Sequence, residues 1–433
     1  MSPETVGIYG FIVLFALMAA GLPIGVAMGM VGFFGLMLIL PAQAALAKMA
    51  IAPYDLVSSY TFATLPLFLL MGHVLLATGQ GGTLFKVAKK WFGRVAGGLA
   101  MATVAGCAAF GAVCASSIAT AVTLGLVAIP EMKKAKYDGG FANGTVAAGG
   151  TIGSLIPPSG FMIIYGILTE NSIAKLFVGG IIPGIIVSLS YIIMIGIRCH
   201  IKPKLGPPGE KVSIKEKLKS IQDIWEIILL GAVSIGGLLI GIFTSTEAGA
   251  VGAFGAFLSA ISRRKLTWAK TKEAILETMK TAGMIYAVMI GATLFNYFMA
   301  ASNLPDHLFN WITSFKLSPM GVMTFLVIIY IVMGALMDET STQLLTIPIF
   351  YPLILKLGFD PIWFGVLQAR LLQIGMIAPP VGINVFVIGG LDKTVPMAKV
   401  YKGVIPFLFM DMITLAVFVI WPQTILWLPN LVR

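Results

Sequence analysis

Long apolar runs alternate with short polar stretches along the whole chain. The apolar segments fall at 5–22, 25–40, 61–77, 97–130, 142–169, 177–197, 224–243, 246–261, 274–300, 321–354, 362–389 and 403–421. Runs near 20 residues match the ~30 Å hydrocarbon core of a bilayer. Segments 97–130 and 321–354 are too long for one crossing and short for two, and each has a polar cluster near its middle. These clusters are Ser116-Ser117 and Asp338-Glu339-Thr340-Ser341-Thr342. The pattern predicts a re-entrant helical hairpin in each. Segments 142–169 and 362–389 carry Pro157-Pro158 and Pro379-Pro380 at their centres. Paired prolines remove two backbone donors and bar the preceding residue from the α region. Each of these segments is therefore expected to be a helix with an unwound middle.

Composition agrees with a membrane setting. Of 433 residues, 58% are hydrophobic and 11% charged, against about a quarter charged in soluble domains. This excludes a soluble enzyme, a disulfide scaffold and a disordered chain. A β-barrel is excluded too, because short alternating segments are absent. The net charge of +11 does not point to nucleic acid, because the basic residues lie in short loops. Suppose that the N-terminus is outside and the hairpins do not cross. The inner loops 78–96, 131–141, 198–223, 262–273 and 390–402 then hold 22 Lys and Arg, against five outside (Lys48, Lys175, Lys316, Lys356, Arg433). That bias follows the positive-inside rule and places both termini outside. With Glu4 and no basic residue before Gly7, segment 5–22 reads as a retained helix, not a signal peptide.

The two halves resemble one another. At an offset of 222, Ser116–Gly160 aligns without gaps onto Asp338–Gly382, with 10 of 45 positions identical, among them Asp138/Asp360, Gly153/Gly375 and Pro157-Pro158/Pro379-Pro380. Five crossings per half invert the second half against the first. The fold class predicted is an all-α polytopic membrane protein of two inverted-topology repeats, an arrangement of secondary transporters. The first repeat spans 1–197, with scaffold 5–77, hairpin 97–130 and broken helix 142–169. The linker 198–223 follows on the inside. The second repeat spans 224–433, with scaffold 224–300, hairpin 321–354 and broken helix 362–389. Slanted amphipathic arms are expected near 41–60 and 262–280.

Lipid cannot satisfy the backbone at a hairpin tip or a broken helix, so these must face protein or a watery cavity. Their carbonyls, with hydroxyls and a carboxylate, suit a hard cation. Their helix N-termini suit an anion. One tip and one break per half predict two sodium ions. The residues are Ser116, Thr120, Gly153, Ile156 and Pro158 in the first half. In the second they are Gly334, Asp338, Thr342, Gly375 and Ala378. The hydroxyls could equally be helix caps. Asp338 and Glu339 are intramembrane carboxylates and functional candidates by default, or else tips solvated by a vestibule. Ser159, Arg370 and Asn384 are candidate solute contacts. Arg370 offers a bidentate fork for a carboxylate, and it could instead pair with Asp338 or Glu339, or snorkel outward. Asp411 could bond a neighbouring helix or serve function. Glu247 is expected at an outer interface. Cys107 and Cys114 read as small core residues. No H-E-x-x-H or phosphate loop occurs.

The stretches Gly149-Gly150-Thr151-Ile152-Gly153-Ser154-Leu155-Ile156-Pro157-Pro158-Ser159 and Gly375-Met376-Ile377-Ala378-Pro379-Pro380-Val381-Gly382-Ile383-Asn384 resemble the large membrane (DctM-like) subunit of tripartite ATP-independent periplasmic (TRAP) transporters. The resemblance runs over essentially the whole chain. It implies a bacterial inner-membrane protein that imports a carboxylate-bearing solute by a sodium-driven elevator motion. The solute would be a C4-dicarboxylate, sialic acid or another sugar acid. The partners implied are a small four-helix (DctQ-like) membrane subunit in a separate chain and a periplasmic substrate-binding protein, with membrane lipid around both subunits. A stand-alone sodium-coupled carboxylate symporter would share the hairpin-and-break plan, and an intramembrane enzyme is a more distant alternative.

Overall fold

The computed structural model describes residues 2–209 and 211–431; Arg433, counted above among the outer loops, lies outside them. Helices are the regular elements of the described residues, with no strand among them. In the first half come α1 (Pro3–Ala19), α2 (Ile24–Ile39), α3 (Ala42–Ser58), α4 (Thr64–Ala77), α5 (Gln80–Phe92), α6 (Gly98–Cys114), α7 (Ser117–Lys134), α8 (Gly139–Thr151), α9 (Gly160–Thr169) and α10 (Ile173–Ile201). A short α11 (Ile214–Ile221) lies within the linker. Then follow α12 (Trp225–Leu239), α13 (Ser245–Ser262), α14 (Trp268–Ala301), α15 (Leu304–Ser314), α16 (Pro319–Leu336), α17 (Glu339–Lys356), α18 (Pro361–Gly375), α19 (Ile383–Leu391), α20 (Met397–Ile420) and α21 (Gln423–Leu426).

The polar residues between apolar runs start the helices. Asp138 caps α8, accepting from Phe141 N at 2.8 Å, and Asp360 caps α18, accepting from Ile362 N and Trp363 N. A side-chain oxygen at this position satisfies amides that the helix itself leaves free. Glu247 is exposed and closes a capping box with Thr244, in keeping with a place at an interface. Both long segments break at their polar clusters, into α6–α7 and α16–α17. Both Pro-Pro segments break as well, into α8–α9 and α18–α19.

Three stretches read as loops contain helices. α5 lies in 78–96, α11 in the linker, and α15 between the 274–300 and 321–354 segments. All are short and amphipathic, so a search for long apolar runs passes over them. The second arm is not a separate element either. It continues without a break into the crossing as the 34-residue α14. In the first half Ser59 and a 3-10 turn at Tyr60–Ala63 separate the arm α3 from α4. Among the described residues, five stretches are long and apolar enough to cross a membrane by length and composition: Tyr60–Ala77, α10, α14, α16 and α20, or six if the bent pair α11 and α12 is one span. Large apolar side chains such as Phe34, Leu38, Phe254 and Phe409 stand exposed on the outer surface, where lipid rather than water is the matching solvent.

Two groups of helices pack closely. In one, α2 lies on α14, α4 on α13 and α14, α1 on α2, and α12 on α13. A Cβ on Gly25 would stand 2.6 Å from Val288 Cα, and one on Gly32 would stand 2.5 Å from Leu294 C. Small residues thus let these backbones touch. In the other group, α8 packs on α6, α7 and α20, and α18 on α16, α17, α10 and α20. A Cβ on Gly144 would stand 2.6 Å from Gly403 C. α8 from Gly140 on and α18 from Ile362 on are buried all round. The groups meet where α4 touches α6 and α9 and where α14 touches α17.

Candidate functional site

Each hairpin tip is docked onto the break of its own half. In the first half α6 ends at Cys114, Ala115 turns left-handed (φ +57°), and Ser116 caps α7. Gly160 N donates to Ala115 O at 3.3 Å. In the second half Asp338 caps α17, accepting from Ser341 N at 2.9 Å, and Gly382 N donates to Ala335 O at 3.2 Å. The contacts need glycine. A Cβ on Gly153 would lie 2.8 Å from Thr120 Oγ1 and 3.3 Å from Gly111 Cα. A Cβ on Gly334 would lie 3.2 Å from Leu372 O and 3.3 Å from Gly375 Cα.

The predicted cation residues therefore gather in two places. Around the first tip, Ser116 accepts from Ala119 N and its carbonyl accepts from Thr120 Oγ1 at 2.7 Å. Gly153 lies in the 3-10 turn Ile152–Ser154, and Ile156 and Pro158 follow in the non-helical link to α9. Around the second tip, Gly334 and Gly375 face each other, Thr342 N donates to Asp338 O at 3.0 Å, and Ala378 N donates to Gly375 O at 3.0 Å. The Thr342 hydroxyl is buried and has no hydrogen-bond partner among the described residues, unlike that of Thr120. An orphaned buried oxygen costs about 1–3 kcal/mol, and a hard cation would satisfy it. The second place also carries the carboxylate of Asp338. The donor set in both is oxygen alone, which fits sodium.

The expected solute residues divide. Ser159 caps α9 and donates to Ser154 O at 2.5 Å. Asn384, on the first turn of α19, donates across the halves to Ala147 O at 3.3 Å and leaves its Oδ1 unpartnered. Arg370 is elsewhere. It is fully buried and its guanidinium is ion-paired with Asp411 of α20, with Thr414 Oγ1 at 3.4 Å and Gln373 Oε1 at 3.5 Å. Tyr191 of α10 donates to the same Asp411 oxygen at 2.5 Å. The alternatives of pairing with Asp338 or Glu339, or of snorkelling, are thereby overturned. Asp411 bonds neighbouring helices, as one of its two readings held.

One contact was missed although the repeat register pointed to it. At offset 222 Ser117 lies opposite Glu339, and the two tips meet at this pair. Glu339 Oε2 accepts from Ser117 Oγ at 3.2 Å and from Ser154 Oγ at 3.0 Å, and Ser154 Oγ also lies 3.2 Å from Oε1. The two serine hydroxyls touch each other. Away from the centre, Lys133 at the end of α7 is paired with Asp392 at 2.6 Å, and Asn143 and Thr394 also donate to that carboxylate. Burial works against the Asp392 charge, but Lys133 and the other donors outweigh it and hold the group down at about 2.

Two docked hairpins and two broken helices, inside a shell of exposed apolar side chains, define a polytopic membrane transport protein. Residues 11–424 match the family model of the tripartite ATP-independent periplasmic transporter, DctM component, and the chain belongs to that family. Two of its curated relatives are named as permeases, not as enzymes. It is 33% identical over 385 residues to the C4-dicarboxylate TRAP transporter large permease protein DctM of Pseudomonas aeruginosa, covering 88% of this chain and 89% of that one. It is 30% identical over 376 residues to the sialic acid TRAP transporter large permease protein SiaM of Vibrio cholerae, covering 87% of each. Among solved structures the Alcanivorax borkumensis YdaH transporter is similar in fold, with TM-score 0.58 and 13% identity over 89% of this chain and 90% of that one.

Proposed function

We propose that the chain is the large transmembrane subunit of a sodium-coupled importer for a carboxylate-bearing solute, a C4-dicarboxylate or a sialic acid or related sugar acid. The observation that carries this reading is the docking of each hairpin tip onto a broken helix at two equivalent places, with oxygen donors at both. Two sodium ions bind there, one at each place. The solute lies between the breaks, near Ser159 and Asn384. With Arg370 committed to Asp411, the solute carboxylate is compensated by helix N-termini and hydroxyls, and Arg370 acts on the site through α18 rather than by contact. The two halves act as inverted repeats. Helices α6–α9 and α16–α19 carry solute across as one body against the α1–α4 and α12–α14 scaffold, in an elevator motion. A periplasmic binding protein delivers the solute, and a small four-helix membrane subunit completes the complex, in keeping with the tripartite family. The protein resides in the bacterial inner membrane with both termini periplasmic.

The test is uptake into liposomes containing the complete transporter, with its binding protein outside. An inward sodium gradient should drive accumulation of unmodified succinate or N-acetylneuraminate. Uptake of neither solute, or uptake indifferent to sodium, overturns the reading.

A further inference from the structure

Glu339 is an unusual neighbour for an anion-carrying site. It is the first residue of α17, and it reaches across from one hairpin tip to the other. Its carboxylate rests on two serine hydroxyls, Ser117 at 0% and Ser154 at 1% exposure. Ser117 is also the first residue of α7, an 18-residue helix, so one of the two donating hydroxyls stands at a helix N-terminus. Among the described residues Glu339 has no ion-pair partner. No basic side chain among the described residues accounts for its position. What holds it is what would hold any carboxylate: two buried hydroxyl donors, one of them at a helix N-terminus.

We propose that Ser117, Ser154 and the α7 N-terminus form a carboxylate seat at the junction of the tips, and that Glu339 occupies this seat until the carboxylate of a solute displaces it. Glu339 is then a built-in competitor. This rests on the transport reading above and adds the group to be displaced and the atoms that receive the solute. The Ser117–Ser154 contact, one hydroxyl from the hairpin and one from the break, makes the seat dependent on the docked tip. A tip that lifts would take Ser117 from the seat. The glutamate thus keeps the tips joined while no solute is present, and the solute takes over that joint when it binds. A solute must compete with a tethered carboxylate, so its apparent affinity is lowered by the fraction of time that the seat is free.

The test is thermal unfolding of the full chain in lipid nanodiscs, titrated with acetate in place of chloride at constant sodium. Emptying the seat with Glu339→Ala should lower the half-stabilising acetate concentration about tenfold relative to the unaltered chain. Adding Ser117→Ala to that variant should abolish the response. Glu339→Gln keeps the shape and removes the charge, so it should fall between, and it serves if Glu339→Ala does not fold. An equal response to acetate in the unaltered chain and the Glu339 variants, or no response in any, overturns the seat. So does a response that survives loss of Ser117. Acetate binding needs no transport. Failure of sodium-driven uptake alone would sink the transport reading and leave this result standing.

Discussion

At the scale of single residues, three carboxylates have three different settings. Asp338 caps α17 beside the Thr342 hydroxyl, which has no partner among the described residues, and it is the one charged residue among the proposed sodium ligands. Asp338→Ala should raise the sodium concentration for half-maximal uptake in liposomes, whereas Thr120→Ala, which removes a neutral ligand, should do so much less. Asp411 is matched with Arg370 out of water. Removing one partner leaves an uncompensated buried charge, so Arg370→Ala should cost about 3–5 kcal/mol in denaturant unfolding, and Arg370→Met with Asp411→Leu should recover most of it. Asp392 is held at about 2 against an ordinary 3.8. A carboxyl lowered in the folded state adds stability above its ordinary value and loses it as pH falls from about 4 to 2. That contribution is on the order of 1–2 kcal/mol, since the half-exposed Lys133 trims the full linkage value. Unfolding followed between pH 2 and 6 should show the acid loss in the unaltered chain and a shallower one in Asp392→Asn.

At the scale of elements, the hairpins and breaks were legible because each is marked by residues that cannot do otherwise. Ser116 and Asp338 end a run that is too long for one helix. Pro157-Pro158 and Pro379-Pro380 interrupt helices that their flanks would continue. The docking of tip on break was half legible: Gly153/Gly375 repeat in sequence, but their partners Gly111 and Gly334 do not fall at the same offset. The short helices α5, α11 and α15 were not legible, because polar faces at a membrane edge look like loops. The pairing of Arg370 with Asp411 was not legible, because a partner 41 residues away on another helix leaves no local trace. The docking itself can be tested. Gly375→Ala would force its methyl into Gly334 and should cost about 1–3 kcal/mol, with uptake falling as well. Gly231→Ala on α12 meets nothing within 4 Å and should be neutral or stabilising by up to about 1 kcal/mol. Melting temperatures in nanodiscs compare the two directly.

At the scale of the whole molecule, the question is which helices move. The packing divides the chain into a group centred on α2, α4, α13 and α14 and a group centred on α8 and α18. Within each group glycine brings backbones into contact, and such close packing resists sliding. Between them lies a cleft of about 550 Å³, lined on one side by Phe62, Thr293 and Asn296 and on the other by Gly166, Leu344 and Ile347. Motion should therefore occur along this cleft and not through either group. Thr293→Cys with Leu344→Cys places one thiol on each side, while Cys107, Cys114 and Cys199 line no part of the cleft. A short bifunctional thiol reagent bridging that pair should arrest uptake. As a control, Val233→Cys with Val251→Cys spans the α12–α13 groove inside one group, and bridging it should leave uptake unchanged. Uptake that continues with the first pair bridged would mean that α17 does not move relative to α14. Arrest by both pairs would mean that the group drawn as static flexes during transport. Arrest by the first alone is the outcome expected of a rigid body that carries both tips, both breaks and the Ser117–Glu339 junction together across the membrane.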